Sequence, residues 1–234
     1  MSRRQVVILA GGLGTRLRPI TETVPKPMVP VNGRPFLHWQ LEDVKRQGYQ
    51  DVLLLVAYLG EQVEAHFGDG QMHGLKIQYA YEKEPLGTGG ALKNALSLLQ
   101  DEFILLNGDS YLVAPFDEMG RTFDTGGFDA VVSVYDNRDP VPVIPNLKVG
   151  GGRVLDYEKD AGPAKGFDRI DSGVYVMKRA LVEAQTETRF MLADLWKPLI
   201  PRGRLGAFDV PVRFYDIGTI ERLAEFERYL KGDK

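Results

Sequence analysis

The densest chemical signal in the chain is Leu9-Ala10-Gly11-Gly12-Leu13-Gly14-Thr15-Arg16-Leu17. Gly11, Gly12 and Gly14 directly follow the apolar run of residues 6–10. Glycines there permit positive φ and close backbone approach, so that successive N–H groups can converge on an anion. Thr15 adds a hydroxyl donor, and Arg16 adds a planar cation that suits phosphate oxygens. Two familiar phosphate loops do not fit. No Lys stands at the offset of a P-loop, and Leu17 occupies the place where a dinucleotide fingerprint needs its third Gly. An ordinary glycine turn is the plain alternative. Farther on, Pro25-Lys26-Pro27 holds a Lys in restricted backbone, suited to a departing pyrophosphate or, alone, to a solvated surface. Asp109 closes the apolar run 103–106, and Asp216 follows residues 212–215. Carboxylates in such places can ligate Mg²⁺ beside phosphates, but spacing alone does not bring the two together. Asp109 could equally brace a turn, and Asp216 could cap the closing helix.

These residues need a scaffold, and the hydropathy pattern supplies one. Short apolar runs at 6–10, 52–56, 75–81, 103–106 and 130–134 read as strands. Helical spacing appears at 36–47, 61–67 and 87–99. The alternation argues for an α/β fold with a largely parallel sheet, whose ligands bind at the carboxyl ends of the strands, where the glycine loop lies. The second half reads as richer in β-structure. It has a hairpin of 147–149 and 154–157 around Gly150-Gly151-Gly152, strands at 170–177 and 212–215, and a closing helix over 220–230. No linker, repeat or low-complexity tract interrupts the 234 residues, so a single domain over 1–234 is expected.

Composition narrows the classes. The net charge of −3 does not suggest a general nucleic-acid or anionic-membrane binder. With no cysteine in the chain, disulfides, thiolate zinc sites and cysteine nucleophiles are excluded. A reducing, cytoplasmic setting fits. The longest apolar run, 52–59, is far short of the ~20 residues of a membrane helix. Met1-Ser2-Arg3-Arg4 precedes an apolar stretch that breaks at Gly11-Gly12 and meets Arg16 and Arg18, so no export signal is read. His38, His66 and His73 show no metal-like grouping.

Further segments complete a pattern with the glycine loop, Pro25-Lys26-Pro27-Met28 and Leu106-Asn107-Gly108-Asp109. They are Glu84-Pro85-Leu86-Gly87-Thr88-Gly89-Gly90-Ala91, Glu158-Lys159, Asp171-Ser172-Gly173-Val174-Tyr175 and Asp216-Ile217-Gly218-Thr219. In this order they resemble the sugar-1-phosphate nucleotidyltransferases. The resemblance implies a Rossmann-like, mostly parallel sheet flanked by helices, of the nucleotide-diphospho-sugar transferase type, with a β-rich sugar-binding second half. It implies Mg²⁺ on Asp109 and Asp216, and Arg16, Lys26 and Asp109 as catalytic residues. Nucleotide contacts would come from Leu9, Ala10, Gly11, Gly12, Gly14, Thr15, Arg16, Glu82, Pro85, Gly87, Thr88, Asn107 and Gly108. Glu158, Lys159, Asp171, Ser172 and Gly173 would meet the sugar phosphate, Lys159 taking its phosphate. Without the resemblance, Glu158-Lys159 is a surface charge pair. Glu82 could accept from guanine N1–H and the 2-amino group, or be a solvent-facing acid. Asp171 departs from the Asn usual in the family. Ionised Asp only accepts hydrogen bonds, which bears on which sugar hydroxyl is read.

The implied reaction joins a nucleoside triphosphate to a sugar 1-phosphate and releases pyrophosphate, with no need for a general base. Residues 29–37, 67–70 and 84–90 look most like the D-glycero-α-D-manno-heptose 1-phosphate guanylyltransferases, with GTP as donor, enzymes of bacterial capsule and lipopolysaccharide synthesis. Mannose 1-phosphate guanylyltransferases come second and uridylyl or thymidylyl enzymes third. Ala10-Gly11-Gly12 differs from the Ala-Ala-Gly usual among uridylyl relatives. A nucleotide-sugar-binding regulatory subunit is the non-enzymatic alternative, and a homo-oligomer is compatible with the composition.

Overall fold

A computed structural model describes residues 3–232; Met1 and Ser2, the head of the basic N-terminal stretch, lie outside the described residues. The chain forms two compact units. One comprises Met1–Pro85, Leu106–Tyr111 and Tyr215–Lys234, the other Leu86–Leu105 and Leu112–Phe214.

In the first unit, strands Gln5–Leu9, Asp51–Val56 and Lys76–Tyr81 lie side by side and parallel, Asp51–Val56 in the middle. Val6 pairs with Val52 and Leu9 with Leu55; Val52 pairs with Ile77. Val6, Val7, Ile8, Leu53 and Leu54 are fully buried, as expected for strands covered on both faces. Helices Phe36–Arg46 and Gly60–Phe67 follow the first and second of these strands. The closing helix, Ile220–Lys231, packs Leu223 and Phe226 into a cluster with Leu17, Val29, Val31, Phe36, Tyr111 and Ile217. Leu17 and Val29 thereby anchor both ends of the polar loop between them to apolar core.

The second unit is mixed. Its strands run in the order Ile170–Lys178, Ala130–Tyr135, Leu205–Asp209, Arg153–Tyr157, Leu147–Gly150. Only the pairing of Ala130–Tyr135 with Leu205–Asp209 is parallel; the others are antiparallel. The β-rich second half and the glycine hairpin expected from sequence are present. The strand expected at 212–215 is not: the sheet strand is Leu205–Asp209, and only Tyr215–Asp216 pairs locally. Gly206 and Ala207 disguised the real strand, because small residues have weak strand propensity. Phe128 requires the glycine, since a Cβ on Gly206 would lie 2.7 Å from its ring. The helix expected at 87–99 ends at Asn94 and is followed by a 3₁₀ turn at Leu96–Leu98. Helix Phe116–Gly126, with Phe116, Met119 and Phe123 buried on one face, was missed. Among the described residues, no helix is long and apolar enough to cross a membrane.

Candidate active site

The glycine loop leaves the end of Gln5–Leu9, where Ala10 N still donates to Leu55 O at 2.8 Å. Gly11 sits under the carboxylate of Glu82: a Cβ there would come 3.0 Å from Ala57 Cβ and 3.2 Å from Glu82 Oε1. Glu82 is held at its own strand end by Glu82 N donating to Val56 O at 2.9 Å. The acid proposed to read a base edge therefore lies over the start of the loop. Gly14 has φ +61° and opens the 3₁₀ turn Thr15–Leu17. Thr21 Oγ1 donates to Gly14 O at 2.8 Å, and a Cβ on Gly14 would be 2.8 Å from Thr21 Cγ2. Glycine is needed here for both conformation and space. Thr15 and Arg16 stay exposed beside buried Leu17.

Asp109 and Asp216 are brought together by backbone pairing. Ser110–Tyr111 runs antiparallel to Tyr215–Asp216, with Asp216 opposite Ser110. Ile217 N donates to Asp109 O at 3.0 Å. The preceding turn is tight: a Cβ on Gly108 would lie 2.0 Å from Leu9 O. Only glycine lets the strand end bearing Asn107 and Asp109 lie against the loop bearing Leu9 and Ala10.

Cations gather at the two carboxylates. Lys26 sits in the 3₁₀ turn Lys26–Met28, only 9% exposed, and its Nζ is 2.6 Å from Asp109 Oδ2. Ser110 Oγ donates to Asp109 Oδ1 at 3.2 Å. Burial pushes the Asp109 carboxyl upward, but the Lys26 ammonium, the Ser110 hydroxyl and the more distant Arg16 outweigh it and hold the group below its ordinary range. Arg222 Nη1 donates to both oxygens of Asp216, at 3.1 and 3.0 Å, and Gly218 N donates to Asp216 Oδ1 at 2.8 Å. The Arg16 guanidinium lies against Gly218, where a Cβ would be 3.1 Å from Nη2. The capping alternative for Asp216 falls, because Thr219 is the N-cap and accepts from Arg222 N at 3.4 Å. Arg222 was missed in the sequence; its signal is a cation two residues past the first residue of the closing helix, at the face turned back toward Asp216.

The donor set can be judged chemically. No group of three or more metal-ligating side chains forms among the described residues, so a closed protein cage is absent. Two neighbouring carboxylates suit Mg²⁺, which takes one or two of them and fills its octahedron with phosphate oxygens and water. Three cations close by suit those same phosphates.

In the second unit the Gly87–Thr88 stretch is engaged locally. Gly87 has φ +79°, and a Cβ there would be 2.6 Å from Phe190 O. Gly89 N and Gly90 N both donate to Phe190 O at 3.1 Å, and Thr88 Oγ1 accepts from Leu192 N at 2.8 Å. These residues seat segment 188–192 on helix Gly87–Asn94. Pro85, in the first unit, is exposed.

The expected sugar-phosphate residues divide. Asn146, missed in the sequence, joins two of them: its Oδ1 accepts from Asp171 N at 2.9 Å and its carbonyl from Glu158 N at 3.0 Å. Asp171 Oδ1 accepts from Gly173 N at 3.0 Å and Oδ2 from the Tyr175 hydroxyl at 2.9 Å. Burial nevertheless pushes its carboxyl up to about 6. Burial first, and then the Asp171 charge, raise the nearby Tyr157 phenol to about 12. Glu158 pairs with Lys165, while Lys159 is exposed. Ser172 points the other way. It is 1% exposed and donates to Ser133 Oγ at 2.7 Å, so its hydroxyl is committed to the sheet interior.

The chain is similar to known proteins in sequence and in fold. A model of the nucleotidyl transferase family matches residues 5–231. A D-glycero-alpha-D-manno-heptose 1-phosphate guanylyltransferase of Campylobacter jejuni is 49% identical over 107 residues, 46% of this chain and 48% of that protein's length. A protein of the same name from Aneurinibacillus thermoaerophilus is 31% identical over 183 residues, 78% of each chain. The crystal structure of HddC from Yersinia pseudotuberculosis complexed with GMP-PN superposes with a TM-score of 0.80 at 29% identity, covering 97% of this chain and 100% of that one.

Proposed function

Because the chain belongs to the nucleotidyl transferase family, with its mixed, mostly parallel sheet flanked by helices, we propose that it transfers GMP from GTP to a sugar 1-phosphate, D-glycero-α-D-manno-heptose 1-phosphate first. The products are GDP-heptose and pyrophosphate. A phosphate oxygen of the sugar substrate attacks the α-phosphorus in line, a new P–O bond forms, and the bond to the β-phosphate oxygen breaks. The nucleophile is already ionised near neutral pH, so the protein has to position and neutralise charge rather than remove a proton.

The observation that carries the reading is the convergence, within the first unit, of Asp109, Asp216, Lys26 and Arg16 beside the glycine loop. Backbone N–H groups of Gly11 to Gly14 and the Thr15 hydroxyl bind phosphate oxygens. Arg16 and Lys26 stabilise the charge that builds on pyrophosphate. Asp109 and Asp216 would hold Mg²⁺, which when bound neutralises phosphate charge. Glu82 accepts from guanine N1–H and the 2-amino group, a pair that uracil and thymine lack. In the second unit, Glu158 and Asp171 accept from sugar hydroxyls, and Lys159 meets the sugar phosphate. The absence of cysteine supports a reducing, cytoplasmic setting for the reaction.

Pyrophosphate release with Mg²⁺ tests the reading, using GTP, UTP, dTTP, ATP and CTP against heptose, mannose, glucose and N-acetylmuramate 1-phosphates. GTP with heptose 1-phosphate well above the other pairs is the expected result. Release with another pair keeps the chemistry and discards the specificity. Nucleotide binding without release from any pair refutes the reading in favour of a regulatory subunit.

A further inference from the structure

We propose that Gln40 is the positioning residue of Asp109, an inference that rests on the metal-carboxylate reading given above. Gln40 lies on the inward face of helix Phe36–Arg46, among Phe36, Leu37, Leu41 and Val44, and is only 3% exposed. An apolar side chain would suit that face better. Its amide Nε2 donates to Asn107 O and Ser110 O, each at 2.8 Å. The two carbonyls bracket Gly108 and Asp109, so one NH₂ group spans the turn that carries the carboxylate. Both acceptors are carbonyls, so the amide orientation is fixed: each needs a proton, and no carboxylate, thioether or aliphatic chain of that length provides two.

The other end of the amide shows what this arrangement sacrifices. Gln40 Oε1 is buried without a hydrogen-bond partner among the described residues. A buried acceptor without a donor is unfavourable, so the position is not optimised for stability. Gly108 pressed against Leu9 O and Ile217 N bonded to Asp109 O fix the turn on two sides. Gln40 closes the third side. Without it, the peptides either side of Asp109 lose their brace, and the carboxylate loses its fixed aim.

The test compares Gln40→Met and Gln40→Asn with Leu41→Ala, a neighbouring core truncation on the same helix whose side chain has no donor for either carbonyl. Mn²⁺ binding to each protein with GTP present is read by electron paramagnetic resonance, alongside thermal melting and the Mg²⁺ half-saturation of pyrophosphate release. Groups that orient a metal ligand typically change metal affinity by about 10–100-fold. Gln40→Met is expected to weaken Mn²⁺ binding at least about tenfold. Gln40→Asn, whose shorter arm reaches one carbonyl at most, falls between it and wild type. With metal saturating, the KM for GTP stays within about twofold. Leu41→Ala melts lower yet binds Mn²⁺ as wild type does. Wild-type Mn²⁺ affinity in Gln40→Met overturns the proposal, as does a loss in Leu41→Ala that scales with its melting point. Failure of both Gln40 variants to fold also overturns it, since Gln40 would then be a folding residue. A wild-type protein that binds Mn²⁺ but releases no pyrophosphate refutes the proposed reaction and leaves the Gln40 comparison standing; one that binds no Mn²⁺ refutes both.

Discussion

Replacing Asp171 with Asn tests a carboxyl whose burial works against its charge. Its carboxyl is pushed up to about 6 from an ordinary 3.8, by burial first, against the pull of the Tyr175 hydroxyl and the Gly173 amide. Between those two pH values the folded protein binds more protons at this site than the unfolded chain. Stability therefore falls as pH rises through that window, and the full penalty is present above about pH 6. At about 1.4 kcal/mol per pH unit the gap sets a ceiling of about 3 kcal/mol. Asp171 is only partly buried, and solvent screening lowers the expected value to about 1–2 kcal/mol. Asn keeps one oxygen to accept from Gly173 N, and its amide can donate to the Tyr175 oxygen. Asp171→Asn should raise the melting temperature at pH 7.5 by about 2–8 °C, given about 2–4 °C per kcal/mol for a chain of this size. The difference should shrink toward zero near pH 4, where Asp171 is protonated in wild type. Paired thermal melts from pH 4 to pH 8 measure it. A difference that does not vary with pH, or a variant less stable at pH 7.5, would refute the argument that burial governs this carboxyl.

Other substitutions probe the first unit. Asp109→Asn leaves the Lys26 ammonium, itself 9% exposed, without its charged partner. With the Asp109 side chain 40% exposed, the stability cost should be about 1–3 kcal/mol in denaturant titration, while pyrophosphate release drops at least about 10²-fold. A rate within a few-fold of wild type would remove Asp109 from the chemistry. Gly108→Ala would put a Cβ 2.0 Å from Leu9 O; with backbone on both sides, the loss should exceed about 3 kcal/mol in the same titration, and unchanged stability would contradict the tight turn. Glu82→Gln should cut the preference for GTP over UTP by about 10–100-fold, since a carboxylate accepting twice from guanine is worth about 1–3 kcal/mol of discrimination. Competition between the two nucleotides at fixed sugar phosphate measures it, and an unchanged ratio would assign base reading elsewhere.

Much of the architecture was legible because it is local. The apolar runs around residues 6–10 and 52–56 announce buried strands, and the glycines at 11, 12 and 14 announce a loop made for close approach. Asp109 is visible as an acid at a strand end. Leu205–Asp209 was not visible, because Gly206 is there to admit the Phe128 ring, a demand made by a residue far along the chain. The site divides in the same way. The sequence by itself determined the residue types that could bind phosphate and metal, since those follow from side-chain chemistry and turn conformation. Only the tertiary structure decided that Asp216 stands opposite Ser110, that Lys26 reaches Asp109, that Arg222 takes Asp216 and that Ser172 turns inward to Ser133. Strand register and helix packing set these contacts, and they depend on how the whole core fills rather than on any neighbourhood of the chain.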